Sequence, residues 1–196
     1  MAQSSSSVPV SYGVLLKAPE NWNGQTATIA DRLEQTLEDR DHDVTKVDVE
    51  TLPDEFSLTE FDAVAVGSSV HISKHHSGIQ EFIETHRETL EKRPTAFFQV
   101  SLSSVSDDPE RRAIAAEYVD SLLESTGWNP DRIALFGGAL RYSKYGFLKR
   151  LLMKRIAKGA TGDVDTSRDY EYTDWAEVEA FANDFAVFVE GRLDGE

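Results

Sequence analysis

The chain has 196 residues, which suits a single domain with a real hydrophobic core. Its 35 acidic and 20 basic residues give a formal net charge of −15, so the surface repels nucleic acids and we expect no nucleic-acid partner. The sequence contains no cysteine, which excludes disulfides, thiolate catalysis and iron–sulfur clusters.

The first element is a polar, Ser-rich segment, residues 1–9, which predicts a disordered tail. It has neither the basic start nor the apolar stretch of a signal peptide, and no run in the sequence approaches the ~20 apolar residues of a membrane-spanning helix. We therefore expect a cytoplasmic protein. The acidic surface suits a halophile-like protein in a salt-rich cytoplasm, and an ordinary acidic protein is the alternative interpretation.

One domain, residues 10–193, follows the tail. Apolar and alternating runs predict five strands, at 10–16, 44–49, 61–66, 95–102 and 133–136. Apolar residues at helical spacing predict helices at 25–39, 79–90, 109–126 and 174–193, with a further basic helix before the last. Strands that alternate with helices indicate an α/β fold, a doubly wound parallel sheet with helices on both faces.

Three loops follow predicted strands and are rich in small or hydroxyl-bearing residues: 17–26, 67–77 and 101–108. In a doubly wound sheet the ligand binds beyond the carboxyl ends of the strands. We therefore expect the three loops to meet at one edge of the sheet and to form a ligand site there.

The first loop leads into a helix whose free N–H groups suit an anion. Gly24, Gln25 and Thr26 stand at the helix start, and Lys17 and Asn23 are further candidate donors. The sequence lacks GxGxxG and GxxxxGK[ST], so neither a dinucleotide nor a nucleoside triphosphate is favoured. A flavin mononucleotide (FMN) needs only one phosphate site of this kind, although a Thr beside a Gly is also typical of a plain helix cap.

The second and third loops are candidates for the two walls around a flavin ring, with backbone N–H groups and hydroxyls at its polar edge. The candidate cofactor-binding residues in these loops are Ser68, Ser69, Val70, His71, Ser101, Leu102, Ser103 and Ser104. The second loop also contains His75 and His76, but we expect no metal there, because no carboxylate ligand other than Glu81 is near in sequence.

The segment 139–158 contains seven basic residues and no acidic one, in a chain that is otherwise strongly acidic. Its apolar residues recur at helical spacing. One interpretation is a helix that packs its apolar stripe on the domain and leaves its charged side chains in solvent. The other two interpretations are contact with an anionic membrane surface and binding of a substrate that carries carboxylates.

The sequence resembles the flavodoxin-like, menaquinone-dependent protoporphyrinogen IX dehydrogenase family of haem synthesis. The resemblance runs from about residue 10 to residue 188 and is most specific in the C-terminal half. It is carried by His76-Ser77-Gly78-Ile79-Gln80-Glu81-Phe82, Trp128-Asn129-Pro130-Asp131-Arg132, Gly137-Gly138-Ala139-Leu140-Arg141-Tyr142, Thr161-Gly162-Asp163-Val164-Asp165-Thr166 and Tyr172-Thr173-Asp174-Trp175.

The resemblance implies a flavodoxin-like fold with a five-stranded parallel sheet in the order 2-1-3-4-5. It further implies FMN held by the three loops, oxidation of protoporphyrinogen IX or a related reduced tetrapyrrole, a quinone acceptor, and peripheral contact with the inner face of the membrane. The basic segment 141–158 would be an insertion, with membrane contact through 144–158 and with substrate or membrane contacts from Arg141, Lys149, Arg150, Lys154 and Arg155.

The chain departs from the family pattern in the first loop, where the family usually has a Ser/Thr pair after the first strand and this sequence has Lys17 to Asn23. Two other functions therefore stay open. One is an FMN electron carrier of the flavodoxin type. The other is a flavodoxin-like module that has lost FMN binding.

Overall fold

The computed structural model describes residues 9–17, 24–71, 74–140, 153–155, 157–158, 161–162 and 165–195, without the side chains of His71 and Lys74. Its strands are β1 (Ser11–Leu16), β2 (Asp43–Asp48), β3 (Ala63–His71), β4 (Lys74–His75), β5 (Thr95–Ser101), β6 (Arg132–Gly137), β7 (Ala139–Leu140) and β8 (Tyr170–Glu171). Its helices are α1 (Gln25–Glu38), α2 (Ser77–Leu90), α3 (Pro109–Thr126) and α4 (Trp175–Leu193), with short 3₁₀ turns at Leu58–Glu60 and Ser103–Val105.

The main sheet contains five parallel strands in the order β2-β1-β3-β5-β6, which confirms the predicted order 2-1-3-4-5. The register places the carboxyl ends of the strands side by side. Leu16 of β1 lies opposite Gly67 of β3, and Ser101 of β5 lies opposite Gly137 of β6. The loops that follow these strands therefore leave the sheet at the same edge.

Helices cover both faces of the sheet, because successive side chains of a buried strand point to opposite faces and both sets are apolar. On one face Val14 and Phe98 pack with α1 and α4, for example with Phe185. On the other face Leu15 and Phe97 pack with α2, α3 and the segment after α3. Within the described ranges, no helix is long and apolar enough to cross a membrane.

The structure differs from the sequence prediction in two places. The third strand was expected at 61–66, but β3 continues to His71 and turns back into β4. Its polar residues Ser68 and Ser69 pair with Gln99 and Val100 of β5, and this pairing, rather than apolar periodicity, extends the strand. The two-residue strands β7 and β8 were also missed, because they are too short to show a period.

Part of the predicted chain lies outside the described residues. This applies to residues 1–8 of the predicted tail and to most of the basic segment 141–158. The described residues 153–155 and 157–158 of that segment are helical. Ala157 is buried with Leu140 of β7, so this part of the segment packs on the domain.

Candidate functional site

The first and third loops are joined by a chain of hydrogen bonds at the carboxyl edge of the sheet. The Gln25 side chain at the start of α1 donates to the Thr173 hydroxyl over 2.7 Å. That hydroxyl donates to the carbonyl of Gly137, also over 2.7 Å. Gly137 lies opposite Ser101 in the sheet, so the structure brings the start of α1 and the third loop together.

The N-terminus of α1 has no side-chain cap among the described residues. Its cap, Gly24, has an extended backbone and no side chain that could accept from the N–H groups of the first turn. The other three described α-helices are capped by a side chain, namely His76 for α2, Asp108 for α3 and Asp174 for α4. The first turn of α1 also has no acidic residue, so the helix dipole at this end favours a bound phosphate.

The threonines of α1 have different surroundings. Thr26 is buried at the helix start. The Thr28 hydroxyl donates to the Gly24 carbonyl over 3.1 Å, so it stabilises the first turn instead of facing a ligand. Asn23 lies outside the described residues.

Lys17 directly follows β1, and its ammonium pairs with the carboxylate of Glu50, which follows β2. The other Glu50 oxygen lies 3.4 Å from Nδ1 of His76. Burial and the nearby Lys17 charge lower the pKa of His76, so its neutral Nδ1 can accept from the Gly78 N–H and cap α2. A phosphate bound in the first loop would therefore compete with Glu50 for Lys17.

The second loop is a short hairpin. Val70 and His71 of β3 pair antiparallel with His75 and Lys74 of β4. Ser68 is buried, and its hydroxyl lies 3.0 Å from Nδ1 of His75. Burial lowers the pKa of His75 from 6.5 to about 4, so the imidazole is neutral at pH 7.

The third loop is closed by its own hydroxyls. The hydroxyls of Ser101 and Ser104 are 2.7 Å apart, and the Ser104 N–H donates to Ser101 Oγ over 3.1 Å. Leu102 and Ser103 are half-buried on the same turn. This turn presents small polar groups beside the end of β6, as a flavin wall requires.

Because Gly137 has no side chain, the segment after β8 can pass close to the end of β6 at this edge. A Cβ at this position would lie 2.7 Å from the carbonyl carbon of Tyr172 and from Cγ1 of Val105. The glycine therefore lets the segment after β8 reach the third loop, where Thr173 forms the hydrogen bonds described above.

Comparison with known proteins agrees with this architecture. A flavodoxin-domain model matches residues 22–167. The Escherichia coli K12 protein named protoporphyrinogen IX dehydrogenase (quinone) is 34% identical over 165 residues, which cover 84% of this chain and 90% of that protein. This chain belongs to the protoporphyrinogen IX dehydrogenase (quinone) family. The resemblance found in the sequence motifs is thereby confirmed.

A second member of the protoporphyrinogen IX dehydrogenase (quinone) family, from Leishmania major, is 33% identical over 169 residues and covers 84% of this chain and 71% of that protein. Among solved structures, a flavodoxin from the domain Archaea superposes with a TM-score of 0.51 at 18% identity. It covers 92% of this chain and 99% of that chain, which confirms the flavodoxin-like fold.

The sequence prediction for this family member missed three residues that shape the site. Thr173 links α1 to β6, Glu50 pairs with Lys17, and His75 contacts Ser68. Thr173 stands in the family motif Tyr172-Thr173-Asp174-Trp175, which was the one available signal. Glu50 and His75 depend on side-chain packing that no local pattern encodes.

Proposed function

We propose that this protein binds FMN at the carboxyl edge of its sheet and oxidises protoporphyrinogen IX, or a closely related reduced tetrapyrrole, with a quinone as acceptor. The observation that supports this most strongly is the 34% identity with the E. coli protoporphyrinogen IX dehydrogenase (quinone) over 90% of that protein. The N-terminus of α1, which has no side-chain cap and is linked through Thr173 to the end of β6 beside the third loop, supports a phosphate site there.

The donor groups at the site fit FMN. Backbone N–H groups of Gly24, Gln25 and Thr26 would hold the phosphate, because α1 has a glycine cap and no acid in its first turn. The ring would lie between the second loop and the third. Its walls would be formed by Ser68, Ser69, Val70 and His71 on one side, and by Ser101, Leu102, Ser103 and Ser104 on the other.

When bound, FMN supplies the redox chemistry that takes reducing equivalents from the tetrapyrrole and passes them to the quinone. The residues of this chain bind, orient and shield the reactants. The hydroxyls of Ser101 and Ser104 hold the third loop in one conformation. The two apolar cores fix the strand ends from which the loops leave.

Activity of the purified protein tests this proposal. Anaerobic protein is incubated with FMN and protoporphyrinogen IX, and porphyrin fluorescence is followed with and without a soluble menaquinone analogue. We expect quinone-dependent porphyrin formation. A flavin-loaded protein without this activity would be an electron carrier, and a protein that refuses FMN would be a module that has lost the cofactor.

We further propose that the basic segment contacts the substrate carboxylates or the inner face of the membrane. Lys154, Arg155 and Lys158 are exposed, whereas Ala157 is buried against the domain. A helix in this orientation keeps its cations available to propionates or anionic lipid headgroups. Arg141, Lys149 and Arg150 lie outside the described residues, and the cytoplasmic location remains a prediction.

The test of this segment replaces Lys149, Arg150, Lys154 and Arg155 together by Gln. We expect weaker sedimentation with anionic vesicles or a higher KM for the porphyrinogen. The control replaces four cations elsewhere on the surface by Gln: Arg32, Arg87, Lys92 and Arg111. Arg32, Arg87 and Arg111 form surface ion pairs of little energetic value, and Arg32 also lies over the Trp175 ring. Equal vesicle binding and equal KM for the two variants would refute the role of the basic segment.

A further inference from the structure

A buried polar cluster lies behind the second and third loops, on the face of the sheet covered by α2 and α3. Ser68 of β3 and Gln99 of β5 lie opposite each other in the sheet and are 2% and 0% exposed. His75 of β4 packs over them, with its imidazole edge-on to the Phe97 ring at 5.5 Å between ring centres. The cluster therefore joins the two loops proposed as flavin walls.

The hydrogen bonds of the cluster run in one direction when the Ser68 hydroxyl donates to His75 Nδ1 rather than to the Ser69 carbonyl 3.4 Å away. The Ser68 hydroxyl lies 3.0 Å from His75 Nδ1, and Gln99 Nε2 donates to the Ala115 carbonyl of α3 over 2.8 Å. A neutral imidazole that accepts at Nδ1 carries its proton on Nε2. His75 Nε2 is then a donor, and the backbone of Tyr118 and the side chain of Gln99 are the groups that interact with the same imidazole; the free acceptor of that side chain is Gln99 Oε1.

Both of these atoms are buried and, among the described residues, neither has a hydrogen-bond partner. An unpaired buried donor and an unpaired buried acceptor each carry a desolvation cost of about 1–3 kcal/mol. The Gln99 side chain and the backbone of Tyr118 are close enough to affect the imidazole. A hydrogen bond between the donor and the acceptor would remove the cost for both.

The hairpin that carries His75 is short. In the part of the chain that the structure describes, strand β4 has two residues and pairs with β3 through Val70–His75 and His71–Lys74. A two-stranded hairpin of this size is not stable by itself in water. The contacts of the His75 side chain in the sheet therefore help to fix its position, together with the packing of α3 on β4 and the α2 cap that His76 forms.

We propose that His75 is a positioning residue that fixes the β3–β4 hairpin as a wall of the flavin site by linking Ser68 to Gln99. In the loaded protein Ser68 donates to His75 Nδ1, His75 Nε2 donates to Gln99 Oε1, and Gln99 donates to the Ala115 carbonyl. Because Gln99 lies two residues before Ser101, the link also sets the spacing between the second and third loops. This inference rests on the proposed FMN function.

Three variants of His75 separate the two contacts. His75→Gln places an amide where Nε2 was and can still reach Gln99, His75→Asn keeps only the contact near Ser68, and His75→Leu removes both. We expect His75→Leu to weaken FMN binding by about tenfold or more and to change the visible circular dichroism of the bound flavin. His75→Gln restores both properties more fully than His75→Asn.

The control is His86→Gln in α2, which removes another half-buried imidazole, one that packs on Phe82 and Phe56 away from the loops. It is expected to lower the melting temperature without changing the flavin spectrum or the FMN dissociation constant. A purely structural role for His75 would give the same result in His75→Leu, and that result would overturn the inference.

A double-mutant cycle between His75→Leu and Gln99→Leu, read as the FMN dissociation constant, tests the link itself. We expect the two effects to be strongly non-additive, and additive effects would overturn the link.

Nitrogen NMR of the imidazoles in the wild-type protein without flavin gives a test that needs no variant to fold. It should show the Nε2–H tautomer for His75, and an Nδ1–H tautomer would overturn the link.

The outcomes separate this inference from the proposed function. Wild-type protein that does not bind FMN removes the proposed function and the positioning role with it. Wild-type protein that binds FMN, together with a His75→Leu variant of unchanged affinity and spectrum, removes only the role of His75.

Discussion

Replacing Gly137 by Ala tests the close approach that joins β6 to the segment after β8. The added Cβ would lie 2.7 Å from both the Tyr172 carbonyl carbon and Val105 Cγ1, and closer still to the Tyr172 carbonyl oxygen. The clash is with backbone, which cannot turn away as a flexible side chain can. Overpacking of this kind costs about 1–3 kcal/mol.

A second cost adds to the first, because moving Tyr172 also moves Thr173 away from the Gly137 carbonyl. That hydrogen bond is 2.7 Å long and contributes about 0.5–1.5 kcal/mol. We therefore expect Gly137→Ala to lower the free energy of unfolding by about 2–4 kcal/mol. Since Thr173 also accepts from Gln25, FMN binding at the start of α1 should weaken as well.

Urea unfolding followed by tryptophan fluorescence measures the change. The matched control is Gly191→Ala in α4, where a Cβ would meet nothing within 4 Å. There the higher helix propensity of Ala should raise stability by about 0.5–1 kcal/mol. If the free energy of unfolding of Gly137→Ala lies within about 0.5 kcal/mol of the wild-type value, the segment after β8 does not approach Gly137 as closely as described.

Three further predictions concern pH and salt. Burial opposes the ionisation of Glu190, but hydrogen bonds from Arg40 and His42 outweigh it and lower the pKa of this carboxyl below 4.5. The stabilisation that the carboxylate gives the fold is therefore present above pH 4.5 and is lost as the pH falls below it. Glu190→Gln should cost about 1–3 kcal/mol at pH 7 and progressively less in urea titrations below pH 4.5; a constant difference would contradict this. The pKa of His75 is lowered to about 4, so on acidification the unfolded chain takes up a proton at this residue before the folded protein does. The free energy of unfolding should therefore fall by at most about 3 kcal/mol between pH 6.5 and pH 4, and this pH dependence should be absent in His75→Gln. If the acidic surface is halophilic, the melting temperature of this chain of net charge −15 should rise from low to molar KCl, and an unchanged value would favour an ordinary acidic protein.

Much of the fold was predictable because its signals are local. Helix α3 was expected at 109–126 and is observed at Pro109–Thr126. Pro109 suits the first turn, and Gly127 ends the helix with φ of 66°, a left-handed conformation that favours glycine. The alternation of strands and helices restricts a parallel sheet to few arrangements. The strand order among these was predictable from the family resemblance.

The site was only partly predictable, because its contacts join residues far apart in the sequence. Gln25 and Thr173 are separated by 148 positions, and the pairing of Lys17 with Glu50 depends on β2 lying beside β1. The extension of β3 through Ser68 and Ser69 comes from pairing with β5, while its own residues read as a polar loop. The topology therefore predicted that the loops lie at the same edge of the sheet. It did not predict which of their side chains form contacts.

We expect the N-terminus of α1 and the two neighbouring loops to hold FMN with its phosphate. Parallel titrations of the purified protein with FMN and with riboflavin, which lacks the phosphate, test it most directly. We expect one FMN per chain, with quenched flavin fluorescence and a dissociation constant at least about tenfold lower than that for riboflavin. Equal affinity for the two flavins, or no binding of either, would contradict the claim.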